Sequence, residues 1–474
     1  MDVSVLPPDL LQAVADRQGR IALVVGAGCS LEPPTNLELS AVYSEEAFRT
    51  LKLNGVLTDG DCDDASDLSK VAAAVFAKHQ RQAPLVRALP RAAYQHARPN
   101  LGHLLSIALM AEGAISCIAT LNFDMALSAA ITQLQVTEIS TVSGPHDLVG
   151  FGDKTLVYLH RNAHETNVEL WILRKDAIDE EWQEGWEGAV AERISLSPQL
   201  VFAGLGSKAA ALTESLRRVK ERVPDETRTY VVDPATESAF ADEIELAAPE
   251  HHIQLPWVEF MRQLAGRLTA ELHTKLSRLC EELAETHEWS DGDSTVQPVL
   301  DALQRMDLVE LGLVRGQWLG TGVDGYAPED STHRSYVRDD DTSREYIADL
   351  TLGLGALVAS EDCTVEVTDV GTVRLASPSN QNGGLTVQPV AGRGIAPWGV
   401  IDRVERVCSV AGPRSADVIL CSGMRTKRPA SPAPPIDIVG DYPAGDVRYG
   451  VSPIRIVDVD DLRTNPELRA ELAR

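Results

Sequence analysis

Ile21-Ala-Leu-Val-Val25-Gly26-Ala-Gly28-Cys-Ser30 is the stretch that decides the fold. Five apolar residues run without a polar break into a glycine-containing turn, which is the pattern of a strand buried on both faces of a parallel sheet. Pro33-Pro34-Thr35 follows, and apolar periodicity from Leu37 predicts a helix start. Glycines at a strand-to-helix turn let the backbone approach a diphosphate, whose charge is met by exposed N–H groups and the helix dipole. The same turn can also serve only for close packing of strand and helix.

Working outward, further apolar runs predict strands at 114–119, 155–159, 200–203 and 229–232. Helical stretches alternate with them, as in an α/β domain with a Rossmann-like parallel sheet. A helical insertion at about 40–112 separates the first two strands and includes helices at 68–78 and 101–112, the second starting at Pro99-Asn100. Another helix is predicted at 209–220. A long amphipathic one is predicted at 257–287, with apolar residues at 257, 260, 261, 264, 268, 272, 276 and 279. The polar cluster Ser290-Asp-Gly-Asp-Ser-Thr295 places a boundary there, giving a first domain of 1–289 and a smaller α+β or mostly β C-terminal module of 290–474. In that module a short helix is expected at 296–306. Asp339-Asp340-Asp341 reads as a solvated loop, 364–370 and 373–375 as half-exposed strands, and 377–384 and 429–435 as loops.

The chain carries 43 Lys and Arg against 70 Asp and Glu, a formal net charge of −27. Such an acidic balance opposes broad binding to nucleic acid or to an anionic membrane, and the short basic run 425–428 reads as solvated loop. No run approaches the roughly 18 apolar residues of a membrane span, and the N-terminus lacks a signal-peptide pattern. The seven cysteines, at 29, 62, 117, 280, 363, 408 and 421, form no CxxC pair, so neither a zinc ribbon nor a disulfide framework is expected. A cytoplasmic protein fits.

Four more strand ends carry chemistry-bearing residues. Thr120-Leu-Asn122-Phe-Asp124 puts polar side chains at the crest of the second strand, where ligands sit in open α/β sheets. Asn122 or Asp124 can equally be a helix N-cap. His160 ends the next strand in Leu159-His160-Arg161, suited to a base near neutral pH or to a structural role. His160 and His164 lack a third ligand at metal spacing. Gly204-Leu-Gly206-Ser207 forms another glycine turn, and Asp233-Pro234 ends a strand in a carboxylate fit for a ribose hydroxyl or for plain turn chemistry.

In this order, the five segments resemble the sirtuin superfamily, specifically the sirtuin-like domains of bacterial anti-phage defence proteins. Gly26-Ala-Gly28-Cys-Ser30 is similar to the family's GAGxS loop and Thr120-Leu-Asn122-Phe-Asp124 to its T-x-N-x-D motif. Leu159-His160 is similar to its Leu-His pair, Val201–Ser207 to its late glycine-serine element, and Leu101-Gly-His103 to the helix before the second motif. The resemblance spans about 15–270. It implies NAD as substrate, with no metal. Gly26, Ala27, Gly28 and Ser30 would cradle the phosphates, with Thr120 beside them. Asn122 would hold the ribose and a water, and Asp124 would meet the nicotinamide amide or support its loop. His160 would take a proton, Gly204 and Ser207 would meet ribose or phosphate, and Asp233 the adenosine ribose. Without CxxC pairs the expected reaction is NAD hydrolysis rather than deacylation. Homo-oligomers and a HerA-type ATPase or Argonaute companion are implied as well. Arg161 stands where many defence relatives have glycine, and it is expected to lower the proton affinity of His160, to contact a phosphate, or to mark a silent NAD- or ADP-ribose-binding subunit.

Overall fold

The computed structural model describes residues 6–177, 185–206, 214, 217, 228–246, 248, 250–289, 292–321, 335–358, 363–368, 371–377, 384–392, 397–409, 415–423 and 454–472. Contacts divide the chain into two units, Met1–Leu268 and Thr269–Arg474, and the division falls inside the helix Trp257–Thr286.

The first unit is built on a seven-stranded, wholly parallel sheet: β1 (Ile21–Val25), β2 (Ile115–Thr120), β3 (Ser140–Val142), β4 (Thr155–Tyr158), β5 (Gln199–Ala203), β6 (Arg228–Val232) and β7 (His252–Ile253), in the order β3-β4-β2-β1-β5-β6-β7. β1 is central and every one of its residues is buried, which explains its unbroken apolar run. In register, Val25 lies opposite Thr120 on one side and Ala203 on the other. The turns after β1, β2 and β5 therefore emerge side by side.

The strands expected from sequence are all present within a residue or so of their ends. The edge strands β3 and β7 were not anticipated; one is three residues long with two of them exposed, the other only two residues. After α1 (Pro8–Asp16) and β1, the insertion consists of α2 (Ser40–Leu53), α3 (Leu68–His79), α4 (Ala83–Ala88), α5 (Arg91–Gln95) and α6 (Leu101–Glu112), and α7 (Ala126–Leu134) follows β2. Asn100 opens α6 with a reciprocal cap: its side chain accepts from the His103 N–H, and the His103 ring accepts from the Asn100 N–H.

The second unit carries a mixed five-stranded sheet, β12-β11-β10-β9-β8. Its members are β8 (Thr364–Val367), β9 (Val373–Ala376), β10 (Leu385–Ala391), β11 (Val418–Ser422) and β12 (Arg455–Asp458). β8, β9 and β10 pair antiparallel, while β10, β11 and β12 pair parallel. The buried helix Asp341–Leu357 packs into the core of this unit with Leu276, Trp318, Val373 and Leu420.

One expectation here is overturned. The solvated-loop reading of Asp339-Asp340-Asp341 fails at Asp339, which is buried, ion-paired with Arg344 and 3.8 Å from Arg315, while Asp340 caps the helix by accepting from the Ser343 N–H. Asp340 and Asp341 are both exposed. A buried carboxylate needs such partners, and here they come from residues distant in sequence or a helical turn on. The helix expected at 209–220, the loop at 429–435 and the basic run at 425–428 lie outside the described residues, as does most of 377–384.

Candidate active site

The site begins where two glycine turns meet. The Gly26 N–H donates to the Ala203 carbonyl and the Gly28 N–H to the Gly204 carbonyl, each at 2.9 Å. Gly204 is left-handed (φ +65°), and a Cβ there would stand 2.5 Å from the Cys29 nitrogen; one on Gly28 would stand 2.8 Å from the Gly204 Cα. Neither position has room for a side chain, and Gly204 also needs the backbone freedom of glycine. The turn is then not the direct start of a long helix. Ala27–Ser30 is a single 3₁₀ turn, and α2 begins only at Ser40. The strong helix dipole expected behind the loop is correspondingly short. Ala27, at the head of that turn, offers its N–H at the crest, where a helical segment leaves its first donors unpaired.

Side chains from β2 lock this loop. Thr120 Oγ1 donates to the Val25 carbonyl (3.2 Å) and accepts from the Asn122 N–H (3.0 Å). Asn122 Nδ2 donates to the Gly26 carbonyl at 3.0 Å and approaches Ser30 Oγ at 3.5 Å. Ser30 Oγ in turn donates to Asp124 Oδ2 at 2.9 Å, and Asp124 Oδ1 accepts from the Ala126 N–H at 3.0 Å. Asp124 therefore also satisfies the first N–H of α7, one residue before its N-cap Met125. Burial raises its carboxyl pKa above the ordinary value, opposed by the Ala126, Ser30 and Asn122 bonds. With its oxygens engaged by Ser30 and Ala126, Asp124 is a support for the loop. Asn122 differs: its Nδ2 is committed, while its Oδ1 accepts no hydrogen bond among the described residues.

His160 follows β4 in the turn at 159–160, and the Leu159 N–H donates to the Thr120 carbonyl at 3.0 Å, which brings this turn to the Asn122 segment. The imidazole retains some exposure, yet the surrounding protein desolvates it enough to hold its pKa down, at about 4. At neutral pH it is a neutral base.

Of the expectations for Arg161, the structure bears on one, the proton affinity of His160. Its φ is +70°, and Nη1 donates to the Ser143 carbonyl at 2.6 Å while the guanidinium lies over the Trp186 ring at 5.9 Å. The lowered pKa of His160 comes from burial, with no contribution from this cation. A left-handed backbone at this position suits glycine.

Gly26, Ala27, Gly28, Ser30, Thr120, Asn122, Asp124, His160 and Gly204 are thus brought together at the carboxyl ends of β1, β2, β4 and β5. Asp233 lies on the same edge, at the end of β6, where Oδ1 accepts from the Ala235 N–H in a local turn. Ser207 lies outside the described residues.

Asn100 was read only as a helix start. Its Nδ2 also donates to the Cys29 carbonyl (2.9 Å) and reaches the Glu32 carbonyl (3.4 Å), tying α6 to the glycine loop. The signal available for it was the Pro99-Asn100 pair beside the Leu101-Gly-His103 motif. Next to the site, Phe123 stacks on Trp171 (centroids 4.7 Å, 16° between planes), and Tyr94 lies 6.3 Å from Phe123. Among the described residues no group of three His, Cys, Asp or Glu is placed to hold a metal ion, and no helix is long and apolar enough to cross a membrane.

No protein-family model matches this chain, and no curated protein matches it. Solved structures do. A Sir2 homologue in complex with ADP-ribose is 15% identical with a TM-score of 0.32, covering 56% of this chain and 98% of that one. A Sir2 complex with the inhibitor EX-527, 2′-O-acetyl-ADP-ribose and deacetylated p53 peptide is 16% identical with a TM-score of 0.31, covering 54% and 97%. A Sir2 variant with p53 peptide and NAD is 16% identical with a TM-score of 0.32, covering 56% and 98%.

Proposed function

We propose that the chain is an NAD glycohydrolase that cleaves NAD to nicotinamide and ADP-ribose, and that it serves as a gated, NAD-depleting effector of anti-phage defence. The observation that carries the reading is the Ser30–Asn122–Asp124 network set beside the interlocked Gly28 and Gly204 turns, with a neutral histidine one strand away.

The chemistry asks little covalent help from the protein. The bond from the ribose C1′ to the nicotinamide nitrogen breaks, and its electron pair neutralises the pyridinium. A water oxygen then bonds to C1′, which has passed through an oxocarbenium-like state. The protein has to hold the ribose, exclude bulk water and accept a proton. Asn122 Oδ1, the uncommitted acceptor, orients the ribose hydroxyl or the water. His160 accepts the proton from one or the other, which its lowered pKa permits at neutral pH. The Ala27 N–H and the turn at Gly204–Gly206 face the diphosphate, with Asp233 on the adenosine ribose. The absence of CxxC pairs from the sequence favours water over an acyl-peptide as acceptor.

An enzyme that consumes the cell's NAD has to be held inactive, so assembly into a homo-oligomer or a HerA-type ATPase or Argonaute companion belongs to the proposal, as does a cytoplasmic setting. The alternative, a silent NAD- or ADP-ribose-binding subunit, rests on Arg161, whose side chain is engaged by Ser143 and Trp186, and on the C-terminal module, to which the proposed chemistry assigns no role. The deciding experiment is nicotinamide release by the purified chain over a range of concentrations, alone and with the product of its genomic neighbour. Release that disappears in Asn122→Ala supports the enzyme; tight NAD binding without release under any condition supports the silent subunit.

A further inference from the structure

We propose that Arg91, aided by Gln95, is a positioning residue that latches the loop after β4 over His160. The inference rests on the active-site reading of His160 and names the device that regulates that site.

The loop leaves β4 and is pinned at two points that bracket His160. At one, the Leu159 N–H donates to the Thr120 carbonyl (3.0 Å); at the other, the Ala163 N–H donates to the Phe123 carbonyl (2.8 Å). The opposite face of the second pin is held from α5. Arg91 Nε and Nη2 both reach the Ala163 carbonyl at 3.3 Å, Gln95 Nε2 donates to it at 2.8 Å, and Arg91 Nη2 also donates to the Glu165 carbonyl at 2.7 Å. Arg91 is a full cation spent on neutral backbone carbonyls, with no carboxylate partner among the described residues. Its guanidinium also lies over the Trp171 ring (6.0 Å), which stacks on Phe123 of the Asn122 segment.

Farther along, Glu169 fastens the same loop to the insertion by accepting from the Gln82 and Ala83 N–H groups (2.9 and 3.1 Å). Yet of these holds from the insertion, only the Arg91–Gln95 grip falls within a few residues of the imidazole. A cation bonded to carbonyls in this way fixes a loop whose own sequence, Asn162-Ala-His164-Glu165, has no apolar anchor beyond Ala163. Releasing the grip lets water reach His160 and loosens its aim.

The charged groups of the elements packed here leave desolvation as the sole cause of the histidine's lowered pKa. Asp124 is held by Ser30 and Ala126, Arg161 is turned onto Ser143, and Glu165 accepts from the Asn167 N–H. His164, in the same loop, is exposed.

The test is the titration of His160 in the full chain, followed by NMR of ring-labelled histidine and assigned by the signal that His160→Gln removes. In the wild type the midpoint is expected at about 4; in Arg91→Ala it moves up toward the ordinary 6.5. Arg91→Lys, which keeps a donor, returns most of the way to the wild-type midpoint, and Gln95→Ala moves it less than Arg91→Ala. In nicotinamide release, Arg91→Ala lowers kcat by about tenfold or more with KM little changed, as misaim at the reacting centre does. An unchanged midpoint in Arg91→Ala, in a chain with wild-type circular dichroism, overturns the latch. If that variant fails to fold, Gln95→Ala with a wild-type midpoint does the same. A shifted midpoint in a protein that never releases nicotinamide leaves the latch standing and removes the proposed activity.

Discussion

Both sheets of this chain end parallel strands side by side, and the two edges are chemically opposite. In the first unit the crest holds two interlocked glycine turns, an asparagine amide and one carboxyl whose oxygens are engaged by neighbours. In the second, the ends of β11 and β12 hold carboxylates: Asp349 accepts from Ser422, and Asp458 lies 3.8 Å from the Cys421 thiol. Burial is the main cause of the rise in pKa of both acids, repulsion from Asp460 adds to each, and Asp458 reaches about 6. An anionic diphosphate meets uncharged donors at the first edge and negative charge at the second. The two edges share a strand geometry, and the residues at the strand ends give them different chemistry.

The largest expected effect strikes the first edge alone. Asn122→Ala removes both the loop clamp and the free Oδ1, and nicotinamide release should fall by about 100-fold or more, as for a lost oriented donor or acceptor in a water-poor site. His160→Ala should cost a comparable 10²- to 10⁴-fold if it is the base. Undiminished turnover in both would dissolve the contrast between the edges.

Next in size is Gly204→Ala, which sets a Cβ against the Cys29 nitrogen at a left-handed residue. We expect a loss of about 3 kcal/mol in denaturant unfolding of the first unit and no detectable NAD binding by calorimetry.

The third prediction uses pH to separate the units. His103 and His160 have folded pKa values lowered to about 3 and about 4 from 6.5, so the unfolded chain takes up protons first. The first unit therefore loses stability as pH falls from 6.5 toward 4, by about 1.4 kcal/mol per pH unit for the fully buried His103. Asp458 has the opposite sign. Its folded pKa lies above 3.8, so the second unit is relieved as pH falls through 6. Hydrogen exchange by region, corrected for the intrinsic rate at each pH, should show the first unit opening more and the second less in mild acid. Parallel changes in both would refute the assignment, and Asp458→Asn should reduce the second unit's response to the share left by Asp349.

The smallest effect belongs to Arg161→Gly. Glycine relieves a left-handed backbone but gives up the Ser143 bond and the Trp186 contact, so stability should change by no more than about 1 kcal/mol. Turnover should stay within about threefold. A silent protein made active by this one change would restore Arg161 as the cause of silencing.

The central strands and the glycine and polar crests were legible because a strand buried on both faces writes itself as an apolar run, and its end as a sudden switch to Gly26, Asn122 or Gly204. What escaped the sequence was whatever depended on partners far along the chain. β3, half exposed, has no such run. Asp339 resembled a surface charge until Arg315 and Arg344 were beside it. Arg91 and Gln95 looked like ordinary polar residues of a short helix, since nothing local signals that their targets are carbonyls about seventy residues on. Asn122 and Asp124 were legible as candidates, but their different duties became visible only when the bond from Ser30 was in place.

The bond between Gly28 and Gly204 also bears on the birth of the molecule. The first glycine leaves the ribosome early, the second only after β2, β4 and β5 have been made, and the bond between the two turns cannot form before then. A chain interrupted between the turn after β4 and the start of β5 therefore carries every residue of the Asn122 motif and His160 without the Gly204 turn that completes the site. If the finished protein destroys NAD, nascent and truncated copies are harmless to the cell that makes them.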